Sequence, residues 1–373
     1  ESLKRASFQL PQTFWCYGGS CTLKTVQPPA PTTDTPVADT SPPSNPTPQI
    51  PAQDQSPTPE KSAKESNVDP VPTFLSLVTQ ERGLAQMMSQ QASRLLGAVE
   101  NDCAQFDERG YCMSFRIRAN FSGAAKEGAG IFILSKQVGP QLRVGIFADH
   151  VVTAQDPAGF QIKDQRPAFG GFVGYMQNSA GEGYHAKLSV AYHSGLLTST
   201  REVILTSEAG SGTSSLVGYE VRGETAYTSI FANLLVTPFV AVRHLQVIRD
   251  GYTEVSVDMP LSFREARLNL TSAIGGLRIE GRLTSRIGYQ ASVSGEYDAL
   301  RRITAMSGTS AIEKLETFGI QRSFNKDPVR LSAMGGIFWE FGKANRLFAQ
   351  TSVRGNPQAV GAITTLVGYQ ISF

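Results

Sequence analysis

Ala359-Val360-Gly361-Ala362-Ile363-Thr364-Thr365-Leu366-Val367-Gly368-Tyr369-Gln370-Ile371-Ser372-Phe373 is the stretch whose reading decides the fold. Side chains of an extended strand point alternately to its two faces. Phe373, Ile371, Tyr369, Val367, Thr365 and Ile363 therefore share one face. Ser372, Gln370, Gly368, Thr364 and Ala362 share the other, with Leu366 alone out of character. One face is apolar and ends in aromatics, while the other is small and polar. Two settings accept such a strand: a half-buried position in a water-soluble sandwich, or a membrane barrel with lipid outside and a wet lumen inside.

Composition narrows the choice. The chain has 373 residues, net charge +2 and 40% hydrophobic residues, with mean hydropathy −0.16. No apolar run reaches the roughly 18 residues that a membrane-spanning helix needs. That leaves barrels open, because their alternating strands average out near neutral hydropathy. Gly 35 and Phe 20 suit many strands with tight turns and aromatic belts. A charge this close to zero gives no case for nucleic acid as a partner. The chain opens on Glu1 without a basic, apolar leader, which reads as a mature protein or a fragment.

Residues 1–27 hold Phe8, Phe14, Trp15, Tyr17 and the loop Cys16-Tyr17-Gly18-Gly19-Ser20-Cys21. They are too few to bury a core alone, and read as the end of a larger upstream region or a small knob. Residues 28–72 carry Pro28, Pro29, Pro31, Pro36, Pro42, Pro43, Pro46, Pro48, Pro51, Pro57, Pro59, Pro70 and Pro72 among Thr, Ser, Ala and Gln. Such a segment cannot offset its ordering entropy by burial and reads as an extended spacer. Residues 73–100 lack proline and are rich in good helix formers. Thr73 after Pro72 is the expected N-cap. About 25 helical residues span roughly 37 Å. Gln80, Glu81, Arg82, Gln86, Gln90, Gln91 and Arg94 exclude lipid around this helix. It reads either as a surface or coiled-coil helix or as one that fills a polar pore.

The cysteines fall in two close pairs, Cys16/Cys21 and Cys103/Cys112. Neither matches a zinc framework. Disulfides Cys16–Cys21 and Cys103–Cys112, in an oxidising compartment, fit better than four free thiols.

From residue 111 the two-faced pattern of the last strand recurs. In 111–122, Met113, Phe115, Ile117, Ala119 and Phe121 oppose Ser114, Arg116, Arg118 and Asn120. Clear repeats follow at 182–194, 283–297 and 330–342, and weaker ones at 128–137, 140–153, 166–177, 214–228, 232–248, 266–280 and 345–355. In 266–280 the parity slips at Gly275-Gly276, the mark of a bulge. With the last strand this gives about twelve segments of roughly 10–15 residues, where strands of soluble proteins run nearer 5–6. Connections near 138–140, 178–181, 229–231, 281–282 and 342–344 are tight. Those at 154–165, 195–213, 249–265 and 298–329 are long, and 123–127 and 355–358 are short. Short periplasmic turns and long external loops are the habit of outer-membrane barrels. The fold class expected is all-β, a transmembrane antiparallel barrel of about 12 strands with the helix in its lumen. Arg116, Arg118, Arg143, Lys187, Arg243, Arg286, Glu296 and Glu340 are expected to face that lumen and hold the helix through Glu81 or Arg94.

The layout of passenger end, linker, pore helix, barrel and terminal Phe resembles that of type V autotransporter translocators of Gram-negative bacteria. Leu235-Val236-Thr237-Pro238-Phe239-Val240-Ala241-Val242-Arg243-His244, followed by Asp250-Gly251-Tyr252-Thr253-Glu254, is similar to a strand and loop of that family. Leu347-Phe348-Ala349-Gln350 and the closing Val367-Gly368-Tyr369-Gln370-Ile371-Ser372-Phe373 resemble its penultimate and last strands. The resemblance covers roughly residues 70–373. It implies passenger remnant at 1–27, linker at 28–72, plug and hinge at 73–107 and barrel at 108–373. It implies insertion in the outer membrane by the barrel-assembly machinery and periplasmic chaperones, with Phe373, Ile371 and Tyr369 as the assembly signal. Lipid bilayer, lipopolysaccharide and the chain's own passenger are the expected partners, and the barrel is expected to be a monomer. Members of the family that cut their own passenger do so at Asn-Asn in the helix. This helix has none, and Asn101-Asp102 lies at its far end.

No GxSxG, HExxH or GxxxxGK[ST] motif occurs, and no enzymatic role, metal or cofactor is expected. His185 and His193 share a face but stand about 27 Å apart along a strand, too far for a shared ion. Two other readings stay open. One is a porin or adhesin barrel whose Pro-rich arm stays in the periplasm. The other is an outer-membrane hydrolase whose active site lies upstream or in a loop.

Overall fold

The computed structural model describes residues 12–17, 20–25, 68–106, 109–122, 125–178, 181–320, 328–341, 345–355 and 361–373. In chain order the elements are β1 (Gln12–Tyr17), β2 (Ser20–Thr25), α1 (Pro70–Val99), β3 (Tyr111–Ser122), β4 (Ala125–Gln137), β5 (Leu142–Gln155) and β6 (Phe160–Ile162). Then come β7 (Ala168–Met176), β8 (Gly183–Thr200), β9 (Ser211–Phe231), β10 (Leu234–Arg249), β11 (Tyr252–Thr253), β12 (Ser262–Phe263) and β13 (Ala266–Arg282). The last are β14 (Ile287–Ile303), β15 (Met306–Thr309), β16 (Thr317–Ile320), β17 (Val329–Phe341), β18 (Asn345–Arg354) and β19 (Ala362–Ser372).

Twelve strands make one closed antiparallel wall in the order β3-β4-β5-β7-β8-β9-β10-β13-β14-β17-β18-β19, with the short β6 beside β8. Ser372↔Cys112 through Ala362↔Ser122 pair the last strand with the first and close the ring. Closure satisfies the backbone groups that a sheet edge would leave bare in lipid. Alternation sets the two faces. Ile117 (72% exposed) and Leu331 (73%) stand on an outer belt with Phe115, Leu188, Val242 and Ile337. A belt of this kind belongs in a bilayer, since water would not tolerate it as one contiguous patch.

The connections differ between the two ends. The strand ends Gln137/Leu142, Met176/Gly183, Phe231/Leu234, Arg282/Ile287 and Phe341/Asn345 lie at the end that also holds Tyr111 and Phe373. Ala232 and Asn233 have φ of 49° and 67°, the left-handed pair of a two-residue hairpin turn. At the opposite end β8 and β9 run on to Thr200 and from Ser211, where the sequence reads a loop at 195–213. These strands outgrow the bilayer, and their polar outer faces past that level hide them from an apolar-alternation criterion. Beyond them β11, β12, β15 and β16 form a separate four-stranded sheet around Leu261, Phe263, Met306, Leu315 and Phe318.

The parity of 266–280 does not slip. Leu268, Leu270, Ser272 and Ile274 all point inward, and Gly275 and Leu277 outward. Apolar residues change face because β13 meets a buried core in its outer half and lipid in its inner half. The one register shift on this ladder falls between Thr271 and Ser272.

α1 is 30 residues long, or about 45 Å. It begins earlier than expected, because Asp69 and not Thr73 is the N-cap: its Oδ1 accepts the Val71 N–H at 2.9 Å. Pro70 and Pro72 sit in the first turn, where no intrahelical donor is required, so the spacer ends at residue 69. Val71, Leu75, Thr79 and Arg82 form an exposed stripe, but no residue from Gly83 to Val99 is exposed. A helix enclosed on every side over about 25 Å lies in the lumen.

β1 and β2 pair in register with Cys16 opposite Cys21. The expected Cys16–Cys21 bridge lies outside the described side chains.

Candidate functional site

The lumen has three levels along α1. At the outermost, the long-loop end, Ser76 Oγ donates to the Glu202 carbonyl at 2.5 Å. Gln80 Nε2 donates to Tyr252 Oη at 2.9 Å. Burial pushes the Tyr252 phenol up to about 12, so it stays a neutral acceptor. The Arg249 guanidinium lies 5.0 Å from the Tyr252 ring centre. Glu254, fully buried, takes Arg201 Nε at 2.9 Å and Nη2 at 3.1 Å, and the Leu261 N–H at 3.2 Å. The Asp250-to-Glu254 segment is thus a knot: Ser215 holds Asp250, Tyr252 touches the helix, and Glu254 ties two long loops together. Gly83 lets the helix approach this wall, since a Cβ there would stand 2.3 Å from the Phe160 ring.

The middle level is apolar on one side and ionic on the other. Met87, Leu95 and Val99, each at most 1% exposed, belong to a core with Leu216, Leu245 and Leu268 from the wall. Burying each helix residue contributes about 1.5–3 kcal/mol. Gly218 leaves the room that Leu95 occupies. Opposite, Arg94 donates to Glu127 Oε2 at 2.8 Å and meets His193 Nε2 at 2.9 Å. Gln91 Nε2 lies 2.5 Å from His193 Nδ1. Arg118 bridges Glu127, at 2.7 Å, and Asp149. Isolated ions at such burial would be prohibitive; each has a partner of opposite charge within hydrogen-bond distance.

The innermost level belongs to the hinge after α1. Glu100 Oε1 accepts Arg222 at 2.9 Å and also Arg354. Asp102 Oδ2 accepts Arg143 at 2.7 Å, with Lys187 Nζ 3.7 Å away. Arg116 reaches Asn101 Oδ1 at 3.3 Å and the Asp102 carbonyl. A disulfide joins Cys103 to Cys112 across 5.8 Å between Cα atoms. It ties the hinge to the first wall strand. Beside the hinge lies a cavity of about 360 Å³.

Of the residues expected inside, Arg116, Arg118, Arg143, Lys187, Arg243 and Glu296 line the lumen, Arg243 being paired with Glu296. Glu340 faces Gln105 and Arg282 at the inner mouth. Arg286 does not line the lumen. It sits exposed in the 283–286 turn, beyond the end of the strand whose parity assigned it inward. Arg94 pairs with Glu127, and Glu81 is buried nearer the start of the helix. Sequence reasoning missed the aliphatic wall residues Leu216, Leu245 and Leu268, which alternation alone would have placed inward. It also missed Glu127 and Asp149, the acids that make the ionic side neutral.

At the seam, Phe373 and Tyr111 exchange two backbone hydrogen bonds, 3.1 and 3.2 Å, and their rings stack at 5.9 Å. Tyr369 Oη donates to Asn345 at 2.7 Å, and Ile371 pairs across to Met113. His185 binds the Gly181 carbonyl at 3.0 Å, far from His193. Among the described residues no His, Cys, Asp and Glu cluster suits a metal ion.

A family model for the autotransporter β-domain matches residues 120–352. The fold is similar to the translocator domain of the autotransporter NalP from Neisseria meningitidis, at 14% identity over 78% of this chain and 97% of that one, TM-score 0.57. The transport unit of AIDA-I from Escherichia coli aligns at 11% identity over 79% and 99% of the two chains, TM-score 0.45. The β-domain of BrkA from Bordetella aligns at 14% over 71% and 99%, TM-score 0.43. No curated protein matches the chain in sequence. An all-round enclosed helix, a closed twelve-stranded wall and a family match over most of that wall lead to one conclusion: the chain belongs to the autotransporter β-domain family and is an outer-membrane translocator that exports a passenger.

Proposed function

We propose that this translocator keeps its helix seated after export and anchors an uncut passenger at the cell surface. In this reading residues 1–27 are the passenger's C-terminal end, 28–69 are the tether, 70–107 are plug and hinge, and 108–373 are the barrel. The observation that carries it is the direction of α1. Its N-terminus stands among the long loops, and its C-terminus is tied by Cys103–Cys112 beside Tyr111 at the short-turn end. Residue 69 therefore leaves the barrel on the outer side, which counts against the porin reading with a periplasmic arm. Two observations support anchoring without cleavage by the Asn-Asn route: the helix holds no Asn-Asn pair, and Asn101-Asp102 is held by Arg116, Arg143 and Lys187. The aromatic seam at Phe373, with Ile371 and Tyr369, is the surface offered to the barrel-assembly machinery and its chaperones. The outer belt is the surface offered to lipid and lipopolysaccharide.

Planar-bilayer conductance tests the plug. The full chain is expected to conduct poorly, and a chain lacking residues 73–107 to conduct well. Equal conductance of the two would refute it.

A further inference from the structure

The seat of the hinge has more positive charge than the hinge needs. Five wall bases converge on two hinge acids: Arg222 and Arg354 on Glu100, and Arg116, Arg143 and Lys187 on or beside Asp102. They come from β9, β18, β3, β5 and β8, so they surround the path of the chain. The adjoining cavity continues the same pattern. Its wall contributes six bases, adding Arg243 and Arg278 to Arg116, Lys187, Arg222 and Arg354. Against them it contributes only the acids Glu224 and Glu296. The remaining two acids at the cavity, Glu100 and Asp102, belong to the hinge. Whenever the hinge is not seated, the wall side chains that line this cavity carry six positive charges against two negative ones, with Glu220 of β9 buried behind Arg222 and Arg243 as a further acid.

The segment that precedes α1 has the opposite balance. Residues 28–69 carry Asp34, Asp39, Asp54, Glu60, Glu65 and Asp69 against Lys61 and Lys64, a net of four negative charges. Residues 1–27 are net positive, with Lys4, Arg5 and Lys24 against Glu1. The acidity is therefore confined to the tether. For residues 28–69 to lie outside the cell they must pass along this lumen, a step that rests on the export reading above. A charged channel with low-dielectric walls raises the local concentration of the opposite charge and speeds its association.

We propose that the basic seat of Glu100 and Asp102 is a transit site for the chain's own acidic tether. The tether's carboxylates take these guanidinium and ammonium groups in succession during export. Glu100 and Asp102 take them last and end the movement. One set of bases thus serves as both guide and stop. The Pro-rich composition suits this use, because proline removes backbone donors and disfavours internal pairing that would hide the carboxylates.

The test follows export in cells making the chain behind a secretion signal, by pulse labelling and the time at which residues 1–27 become sensitive to added protease. Asp34, Asp39, Asp54, Glu60 and Glu65 are changed together to Asn or Gln, or together to Lys; Asp69 is kept because it caps α1. The barrel is native in both variants. The expected result is graded: slower surface exposure with the neutral tether, and a delay of at least about tenfold with the Lys tether. Arg222→Glu with Arg354→Glu is expected to restore the Lys tether and to slow the wild-type one, with assembly checked by heat-modifiable mobility. Wild-type timing of the Lys tether, or a neutral tether as slow as the Lys tether, would overturn the proposal. So would failure of the assembled Arg→Glu barrel to restore the Lys tether. A wild-type chain whose residues 1–27 never reach the surface would instead refute the export reading itself.

Discussion

Replacing Arg94 with Met should unseat the plug, and the size of the effect can be worked from the middle level of the lumen. Met keeps much of the aliphatic stem and removes the guanidinium. The Arg94 and Glu127 side chains are 3% and 1% exposed. Removing one member of a buried pair costs about 3–5 kcal/mol, because the other charge stays buried. Glu127 keeps Arg118 at 2.7 Å, which places the cost at the lower edge, about 3 kcal/mol. In the unseated state Arg94 is in water, so the cost falls on the seated state alone. At 1.4 kcal/mol per factor of ten, the unseated population rises about 100-fold. Single-channel recording of the full chain reads this directly as a rise in the frequency of large openings. Glu127→Gln in the Arg94→Met background should recover much of the loss, because the orphaned charge is gone. An opening frequency for Arg94→Met equal to that of the wild type would refute the claim that this pair holds the helix.

Three further outcomes follow from the same contacts. Gly83→Val places atoms in the Phe160 ring and should destabilise the seated helix by about 1–3 kcal/mol, with Phe160→Ala restoring it; channel openings measure both, and an unchanged record for Gly83→Val would contradict the contact. Reducing Cys103–Cys112, or changing both to Ser, frees a closed loop of sequence separation 9 and should lower stability by about 2.5 kcal/mol. Thermal melting with and without reductant, beside mass spectrometry for free thiols, checks this. Arg201→Met leaves Glu254 buried without its bidentate partner, at a cost of about 3–5 kcal/mol, and should make the 201–210 and 254–261 loops protease-sensitive on intact cells while the barrel stays assembled.

The wall was legible in the sequence because a bilayer imposes a strict rule on it. Outward residues such as Ile117, Leu188 and Ile337 must be apolar at every second position, and the short turns must return the chain at one end. The lumen obeys no such rule. Inward positions of β9, β10 and β13 hold Leu216, Leu245 and Leu268 where the helix packs, and Arg222, Arg243 and Arg278 where the cavity lies. Only the position of α1 separates these cases, and it depends on contacts with residues far along the chain. The cap sheet of β11, β12, β15 and β16 was illegible for a similar reason. Its strands are short, and their pairing joins segments that a local pattern cannot relate. Arg286 and the supposed slip at Gly275-Gly276 fail for the opposite reason, that parity was followed past the point where the environment changes. Asp69 shows the same lesson at the helix start, where Pro70 and Pro72 belong to the first turn.

The central claim is that a seated helix leads the chain out through the barrel to the cell surface. Protease shaving of intact cells, with tags before residue 1 and in the 201–210 loop, tests it most directly. Both tags are expected to be cut while the barrel core survives. A loop tag that is cut while the N-terminal tag survives, becoming sensitive only when the outer membrane is opened, would place residues 1–67 in the periplasm and contradict it.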